Sequence, residues 1–490
     1  MSVEVTMGQY FTAFTINFST LIIINLILSS VVVLLENKRP TSALAWLFFL
    51  NLFPIIGFLF YILLSENISR RKIFSYTVHE SNIFNEILTT QYHDFKLGNF
   101  EFADKGMEQY REMILFHNRL SEAFYSQNNE IRFFYDGQSK FDALFEDIRN
   151  AKHHVHLLYY IVKSDKISTK LVNLLCEKAA EGVEIRFLID HVGGRKLSHK
   201  LIHKMENAGV KLSFFFPSKL KFINFKANYR NHRKLVVIDG DIGYTGGMNI
   251  GDEYIYSRRF KKWRDTHMRI IGDAVIALQM RFVLDWRAAS QEFVLIDTKY
   301  MHLSKAANKT GMQIVSSGPD DINDQVKQGF LKIINEAKEY IYIQTPYFIP
   351  DSSITDALSI AAASGIDVRI MIPNKPDHPF VYTATKAYCM DMLEYGIKAY
   401  TYEEGFMHSK MIVSDNAIAS VGTCNFDIRS FRLNFEVNAF IYDMEVAMEL
   451  RRQFEKDMEK SIEITLEDVK NQSIFSRFRS AVARLFSPVL

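Results

Sequence analysis

Cysteine is nearly missing from this sequence: Cys176, Cys389 and Cys424 are the three in 490 residues. None stands in a paired spacing, which argues against a disulfide framework or a zinc knuckle and implies reduced thiols. Net charge is nearly missing too. The 58 Lys and Arg almost cancel the 56 Asp and Glu, leaving a formal charge of +2, while 48% of the residues are hydrophobic. That balance excludes a disordered, self-repelling chain and suits a large core spread over about two to four domains. No Lys or Arg precedes the first apolar stretch, so the basic start of a cleavable signal peptide is lacking.

What the chain has instead is two long uncharged stretches near its start. One runs from Gln9 to Leu35, with an apolar segment from Leu21 onward, and the other from Pro40 to Ser65; only Glu36-Asn-Lys-Arg39 separates them. Two retained transmembrane helices within residues 1–66 are expected, as a tight hairpin with both ends on one side. Trp46 and Tyr61 are expected near the interfaces, and Pro54 and Gly57 to bend the second helix. Arg70-Arg71-Lys72 against Lys38 and Arg39 places the remainder on the cytoplasmic side by a narrow positive-inside margin.

Further along, one pattern occurs twice. His232-Arg-Lys234-Leu-Val-Val-Ile-Asp239 is followed by Gly246-Gly-Met-Asn249, and His408-Ser-Lys410-Met-Ile-Val-Ser-Asp415 by Gly422-Thr-Cys-Asn425. Both read H-x-K-x4-D-x6-G-[GT]-x-N. Side-chain alternation sends each His and Lys to one face, and the apolar run behind them is a buried strand. The glycine turn lets backbone approach closely, and the Asn amide is a donor for a phosphoryl oxygen. If the copies face each other, one imidazole attacks phosphorus and the other protonates the departing alcohol, with a covalent phosphohistidine between the steps. Two Lys and two Asn supply electrostatic stabilisation, so the reading needs no metal and no cofactor. A lone H-x-K carries almost no information; two copies with identical offsets do.

The duplication is larger than the motif. Ala151–Leu157 matches Ala337–Ile343, Glu181–Ile189 matches Ser364–Ile372, and Met205–Lys211 matches Met392–Lys398. Each block is a helix end leading into a strand, which argues for α/β sheets covered by helices. The expected organisation is a helical connector over 67–130, α/β domains over 131–290 and 311–465 related by a pseudo-twofold axis, and an amphipathic segment over 472–490.

At the motifs and their flanks the chain resembles the phospholipase D superfamily, and within it the bacterial cardiolipin synthases. The strings that carry the resemblance are Asn228-Tyr-Arg-Asn-His232-Arg-Lys234, Gly246-Gly-Met-Asn-Ile-Gly-Asp-Glu-Tyr254, Trp263-Arg-Asp-Thr-His267, Met407-His-Ser-Lys410, Gly422-Thr-Cys-Asn-Phe-Asp-Ile-Arg-Ser-Phe431 and Leu433-Asn-Phe-Glu436. The resemblance spans the chain from the N-terminal apolar pair to the last residue. It implies transfer of a phosphatidyl group from one phosphatidylglycerol to another, giving cardiolipin and glycerol, in a multi-pass protein of the bacterial cell membrane. It implies His232 as nucleophile and His408 as general acid, then base. Glu436 matches the acid that orients an imidazole in the second half, and Asp265 is the expected equivalent in the first. Asp239 and Asp415 complete the catalytic motif, although their place beyond the strand favours fixing structure, by pairing with a basic residue.

The surroundings fit a lipid surface. Lys219, Lys221, Lys226, Arg230 and Arg233 precede the first motif and Arg258-Arg-Phe-Lys-Lys-Trp263 follows it, basic residues interleaved with rings as an anionic bilayer favours; a solvated basic face is the plain alternative. At the end of the chain Ile474, Phe475, Phe478, Ala481, Val482, Leu485 and Phe486 keep helical spacing with Arg477, Arg479 and Arg484 among them. Either an interfacial helix or a helix docked on the catalytic part has that pattern. His154 and His156 alternate onto one face, but no neighbouring Cys or carboxylate completes a metal set. His191, His199 and His203 read as solvent-facing. Cys424 reads as a small packing residue. A hydrolytic phospholipase D needs the same residues and differs in its acceptor. A nuclease of the superfamily is disfavoured by the apolar stretches, so no nucleic-acid partner is expected, and a non-enzymatic scaffold has no use for two intact motifs. The metal-dependent phosphatidyltransferases require a D-G-x2-A-R element that is not present.

Overall fold

The computed structural model describes residues 18–36, 40–64, 73–217, 228–257, 259–290, 292–301, 303 and 308–485. It divides into two compact units, residues 1–70 with 218–228, and residues 71–217 with 229–490.

In the first unit the helices are Phe18–Leu35, Pro40–Leu52 and Ile56–Leu64. The second apolar stretch is therefore two short helices and not one bent span. Pro54 has no N–H to continue a helix, and Ile55 takes a positive φ of 66°. The chain then folds back so closely that a Cβ on Gly57 would lie 3.1 Å from the Leu50 Cα. Tyr61 is buried, with its hydroxyl 3.4 Å from Glu36 Oε1 and its ring edge-on to Trp46, so these two rings pack on each other within the unit. Among the described residues no helix is long and apolar enough to cross a membrane, and the transmembrane hairpin is not confirmed. The start of the first apolar stretch and the basic residues Lys38, Arg39, Arg70, Arg71 and Lys72 lie outside the described residues.

The second unit opens with the helices Val78–Leu97 and Arg111–Leu120 and continues into two sheets of matching design. The strands of the first half are β1 (Asn129–Phe134), β2 (His154–Tyr159), β3 (Glu184–Asp190), β4 (Lys211–Phe215), β5 (Arg230–Asn231), β6 (Leu235–Ile238), β7 (Ile242–Gly246), β8 (Lys262–Arg264) and β9 (His267–Gly272). Those of the second are β10 (Gly311–Ser317), β11 (Tyr340–Gln344), β12 (Phe348–Ile349), β13 (Asp367–Pro373), β14 (Lys398–Tyr402), β15 (Gly405–Met407), β16 (Met411–Ser414), β17 (Ile418–Gly422), β18 (Phe426–Asp427), β19 (Asn434–Tyr442) and β20 (Ser461–Ile464). The first sheet runs β1-β9-β7-β6-β2-β3-β4, and the second runs β10-β19-β17-β16-β11-β13-β14 with β20 added at the edge. Strand for strand the order is the same, as duplication requires.

The parallel part of each sheet, β2-β3-β4 and β11-β13-β14, is made by crossover helices whose starts are fixed by Asp caps such as Asp165 before Lys166–Ala180 and Asp351 before Ser352–Ala363. Residues on the inner faces of both sheets, such as Leu235, Val237, Met411 and Val413, share one hydrophobic core with the helices Ala274–Ser290 and Met444–Met458. The halves are thus joined by core packing and not by a linker alone.

Two short strand pairs cross between the halves. β5 of the first half runs parallel to β19 of the second, pairing Asn434 with Arg230 and Phe435 with Asn231. β15 of the second runs parallel to β8 of the first, pairing Phe406 with Trp263 and Met407 with Arg264. Each crossing strand is the segment that leads directly into a motif histidine.

Candidate active site

Register carries each histidine to the other half's carboxylate. One residue past its β5–β19 pairing, the His232 N–H donates to Phe435 O at 3.0 Å, which sets its imidazole beside the next residue of β19, Glu436. One residue past the β15–β8 pairing, the His408 N–H donates to Arg264 O at 2.7 Å, beside Asp265. The side chains meet accordingly. His232 Nδ1 lies 2.9 and 3.0 Å from the two Glu436 oxygens, and His408 Nδ1 lies 2.6 Å from Asp265 Oδ2. The sequence expectation gives each half its own orienting acid; the structure exchanges them. Chain order could not reveal the exchange, because it depends on which edge a strand of two or three residues joins.

With Nδ1 held by a carboxylate, each imidazole is left with Nε2 as its second ring nitrogen. Both rings are buried, His232 9% and His408 8% exposed, so one edge of each is reachable. Burial pushes both below the usual histidine range, to about 4; the cations Lys234 and Lys410 push the same way, and Glu436 and Asp265 oppose them. Each lysine donates to the backbone oxygen of its own motif histidine at 2.6 Å, Lys234 to His232 O and Lys410 to His408 O. Burial lowers Lys234 well below the ordinary lysine range and Lys410 to about 8, and both feel Glu436 and Asp265. Two cations and two carboxylates therefore form one electrostatic cluster spanning the seam.

The asparagines reach the same region and are themselves held. Asn249 accepts from the Ile161 N–H and donates to the Tyr254 hydroxyl at 2.9 Å; Asn425 donates to Asp427 at 3.1 Å and to Ser430 Oγ at 3.2 Å. The position two residues before each asparagine explains the Gly or Thr alternation. A Cβ on Gly247 would lie 2.0 Å from Asp265 Oδ1, whereas the Thr423 hydroxyl donates to Glu436 Oε2 at 2.5 Å. That residue is thus the floor under the acid in each half, a role that the spacing alone did not disclose.

Asp239 and Asp415 are not brought to the histidines. They close the far ends of β6 and β16 at φ of 54° and 55°, and their carboxylates collect backbone N–H groups: Lys152, His153 and His154 at 2.8 to 2.9 Å for Asp239, and Lys338, Glu339 and Tyr340 at 2.7 to 3.1 Å for Asp415. They fix structure, with backbone amides where the sequence reading expected a basic side chain.

Several basic residues assigned to a lipid approach are internal. Arg230 pairs with Asp190 at 3.3 Å, and Arg233, 1% exposed, pairs with Asp285 at 2.7 Å and donates to Glu436 O, bracing the strand that carries the acid. Phe260 and Trp263 turn inward, and the Trp263 ring centre is 5.3 Å from that of His408. Lys262 pairs with Glu404, and Arg259 donates to the backbone of Pro376. Lys219, Lys221, Lys226 and Arg258 lie outside the described residues. Tyr160, whose ring centre is 5.0 Å from that of His232, and Asp427, buried and pushed by desolvation up to about 6, are site residues that the motif reading missed. Asp427 stands two residues after Asn425, where the first half has Gly251; that break in the repeat is the signal.

His154 and His156 do share a face, where Gln279 bridges them at 3.2 Å and Arg186 meets His156 at 3.3 Å. Among the described residues no group of three or more His, Cys, Asp or Glu is arranged to hold a metal ion. His199 and His203 are exposed and His191 is half-buried; Cys424 is fully buried, with its thiol pushed far up by desolvation.

The family model for the cardiolipin synthase, PLD-like domain matches residues 144–260 and 330–458, and that for the phospholipase D-nuclease N-terminal segment matches residues 23–66. A protein named cardiolipin synthase from Oceanobacillus iheyensis is 48% identical over 96% of this chain and 98% of its own length. One of the same name from Listeria monocytogenes serotype 4a is 45% identical over 96% and 98%, and one from Staphylococcus aureus 44% over 96% and 95%. The crystal structure of phosphatidylserine synthase from Haemophilus influenzae shares the fold, at a TM-score of 0.60 and 15% identity, covering 77% of this chain and 100% of that one. With two motif-bearing halves matched by one model and relatives alike over nearly their whole length, this chain belongs to the cardiolipin synthase, PLD-like domain family.

Proposed function

We propose that this enzyme is a cardiolipin synthase that moves a phosphatidyl group from one phosphatidylglycerol to the terminal hydroxyl of another. The observation that carries the mechanism is the pair of imidazole–carboxylate contacts exchanged across the seam, with two lysines between them. His232 Nε2 attacks phosphorus, and the bond from phosphorus to the glycerol oxygen breaks as His408 Nε2–H gives that oxygen a proton, releasing glycerol. The second phosphatidylglycerol then gives its hydroxyl proton to His408 Nε2, its oxygen attacks phosphorus, and the N–P bond breaks to restore His232. One phosphodiester is exchanged for another, so no external energy source is needed. Lys234 and Lys410 meet the charge that grows on the phosphoryl oxygens, an arrangement that is already in place before the transition state forms. The order of the histidines follows the superfamily resemblance.

The uncharged N-terminal segments support attachment to the bacterial cell membrane, with residues 1–66 crossing it and the catalytic halves on the cytoplasmic side. The test is a product assay on full-length protein in phosphatidylglycerol vesicles with EDTA. Cardiolipin with glycerol, lost in both His232→Ala and His408→Ala, is expected. Phosphatidic acid alone would make the protein a hydrolase, and activity surviving in either variant would overturn the paired-histidine mechanism.

A further inference from the structure

The last described helix, Ile474–Leu485, faces two ways. It docks on the helix Pro379–Met392 through its small-residue edge: Ala483 is fully buried with Ala384 and Ile349, and Arg484 donates to Ala387 O at 3.0 Å and to Asp391 at 2.7 Å. Its large apolar residues stand clear of the protein. Ile474 is 88% exposed, Phe475 75%, Phe478 66% and Leu485 77%. A helix held by an alanine while its phenylalanines point away is the reverse of ordinary packing, in which the largest apolar surface is covered first. One face is thus docked on the catalytic part, and the other is left apolar and exposed.

The charge on this helix selects the occupant. It contains three arginines and no acidic residue. Arg484 is taken up by the docking contact, whereas Arg477 and Arg479 are exposed beside the apolar stripe. Long cationic side chains flanking an apolar stripe let the rings enter the acyl boundary while the guanidinium groups stay at the headgroups. The docking helix also ties this surface to the site. Just before its first residue, Asp377 accepts from the Tyr347 hydroxyl and its backbone lies beside Arg259, and Lys410 feels the Asp377 charge.

We infer that the Ile474–Leu485 helix is a lipid-surface anchor for anionic bilayers, rigidly fixed to the catalytic halves by its small-residue edge, and that it orients the paired histidines toward the membrane. It rests on the reading that the substrate is an anionic lipid in a bilayer, and adds a second membrane contact separate from the N-terminal segments.

Two variants of the full-length protein in liposomes test this, Phe475→Ser/Phe478→Ser/Leu485→Ser and Arg477→Glu/Arg479→Glu. Both alter exposed side chains outside the catalytic set. An environment-sensitive dye on Phe478→Cys reports contact directly, with Arg477→Cys as the flank control. The dye at position 478 is expected to shift to the blue in phosphatidylglycerol vesicles and much less in phosphatidylcholine vesicles. Both multiple variants should lose at least about fivefold in rate on long-chain phosphatidylglycerol vesicles, the factor a single interfacial charge is worth. They should keep wild-type rates on a short-chain, monomerically dispersed phosphatidylglycerol. An unshifted dye would overturn the inference. So would disulfide cross-linking between two chains of the Phe478→Cys variant, which marks a second copy as the occupant, and so would unchanged vesicle rates. If wild-type protein converts neither substrate, the proposed activity itself fails; that result is distinct from a variant effect.

Discussion

Glu436→Gln and Asp265→Asn test the exchanged pairs most sharply, because each replaces a carboxylate by an amide of the same shape. An imidazole that donates Nδ1–H to a carboxylate keeps Nε2 free to attack. Facing an amide NH2, Nδ1 becomes the acceptor and the proton moves to Nε2, the wrong tautomer for a nucleophile. The like substitution in a serine-protease triad costs about 10^4 in turnover, equivalent to about 5 kcal/mol of transition-state stabilisation. Glu436 is fully buried and holds His232 through both oxygens, so water cannot take its place and a loss of about 10^3 to 10^4 is expected. The assay is the burst of para-nitrophenolate from a phosphatidyl ester of para-nitrophenol, a leaving group that needs no proton. Glu436→Gln should abolish the burst. Asp265→Asn should keep it within about tenfold, since general acid help is not needed in that step, while cardiolipin formation from phosphatidylglycerol falls by about 10^2 to 10^4. A double-mutant cycle between Glu436 and His232 should be strongly non-additive, and one between Glu436 and His408 should not. The opposite pattern of coupling would refute the exchange.

Asp239→Ala and Asp415→Ala each strip three backbone N–H groups of their acceptor, so about 2 to 3 kcal/mol of stability should be lost in denaturant titrations. Turnover per folded molecule should be kept; a drop above about a hundredfold at unchanged stability would return these residues to the chemistry. Gly247→Ala puts a methyl where Asp265 Oδ1 lies, so cardiolipin formation should fall as far as in Asp265→Ala, and near-normal activity would refute that packing. Acid should destabilise the fold early. His117, fully buried, is held by desolvation down to about 3 from an ordinary 6.5, so the unfolded chain binds its proton first. Stability is whole above pH 6.5 and is lost as pH falls toward 3, about 2 kcal/mol of it by pH 5 from this residue alone. The motif histidines add to the loss between about 6.5 and 4. Melting temperature that stays level from about pH 7 to pH 5, or that is just as pH-sensitive in His117→Gln, would contradict this.

The local half of this architecture is readable in the sequence because its signals are local. Apolar runs such as Leu235–Ile238 and the repeated helix-to-strand blocks mark the strands, and duplication predicts that both sheets share one order, as β1-β9-β7-β6-β2-β3-β4 and its counterpart do. The His and Lys of each motif likewise meet at the seam, whereas its Asp does not. What the sequence hides is set by tertiary choices. Arg233 looks like one more surface cation until Asp285 and the β19 backbone surround it. Trp263 looks interfacial until the Phe406 ring, 4.7 Å away, takes its face. The second apolar stretch looks continuous, yet Pro54 and Ile55 divide it, because hydropathy counts side chains and says nothing of a missing N–H. Proximity in the chain assigns Asp265 and Glu436 to their own halves, whereas crossing strands of two or three residues, too short to show a periodic signal, decide the pairing.

That exchange has a consequence for charge. Glu436 and Asp265 face Lys234 and Lys410 at the seam, and burial opposes the imidazolium on either ring. In the proposed mechanism, a phosphodiester bound beside the lysines adds one negative charge near both imidazoles. The same low-dielectric surroundings that penalise a lone imidazolium then strengthen its attraction to that anion. One ring must still be neutral to attack, and Nδ1–H donation to its carboxylate keeps it so while presenting Nε2; the other takes the proton that the substrate charge favours. In the proposed mechanism, substrate binding supplies the unequal protonation that the two histidines need. Because each orienting acid comes from the opposite half, neither half alone holds a complete histidine–acid pair, and the single core uniting them is a requirement of the chemistry as well as of the fold.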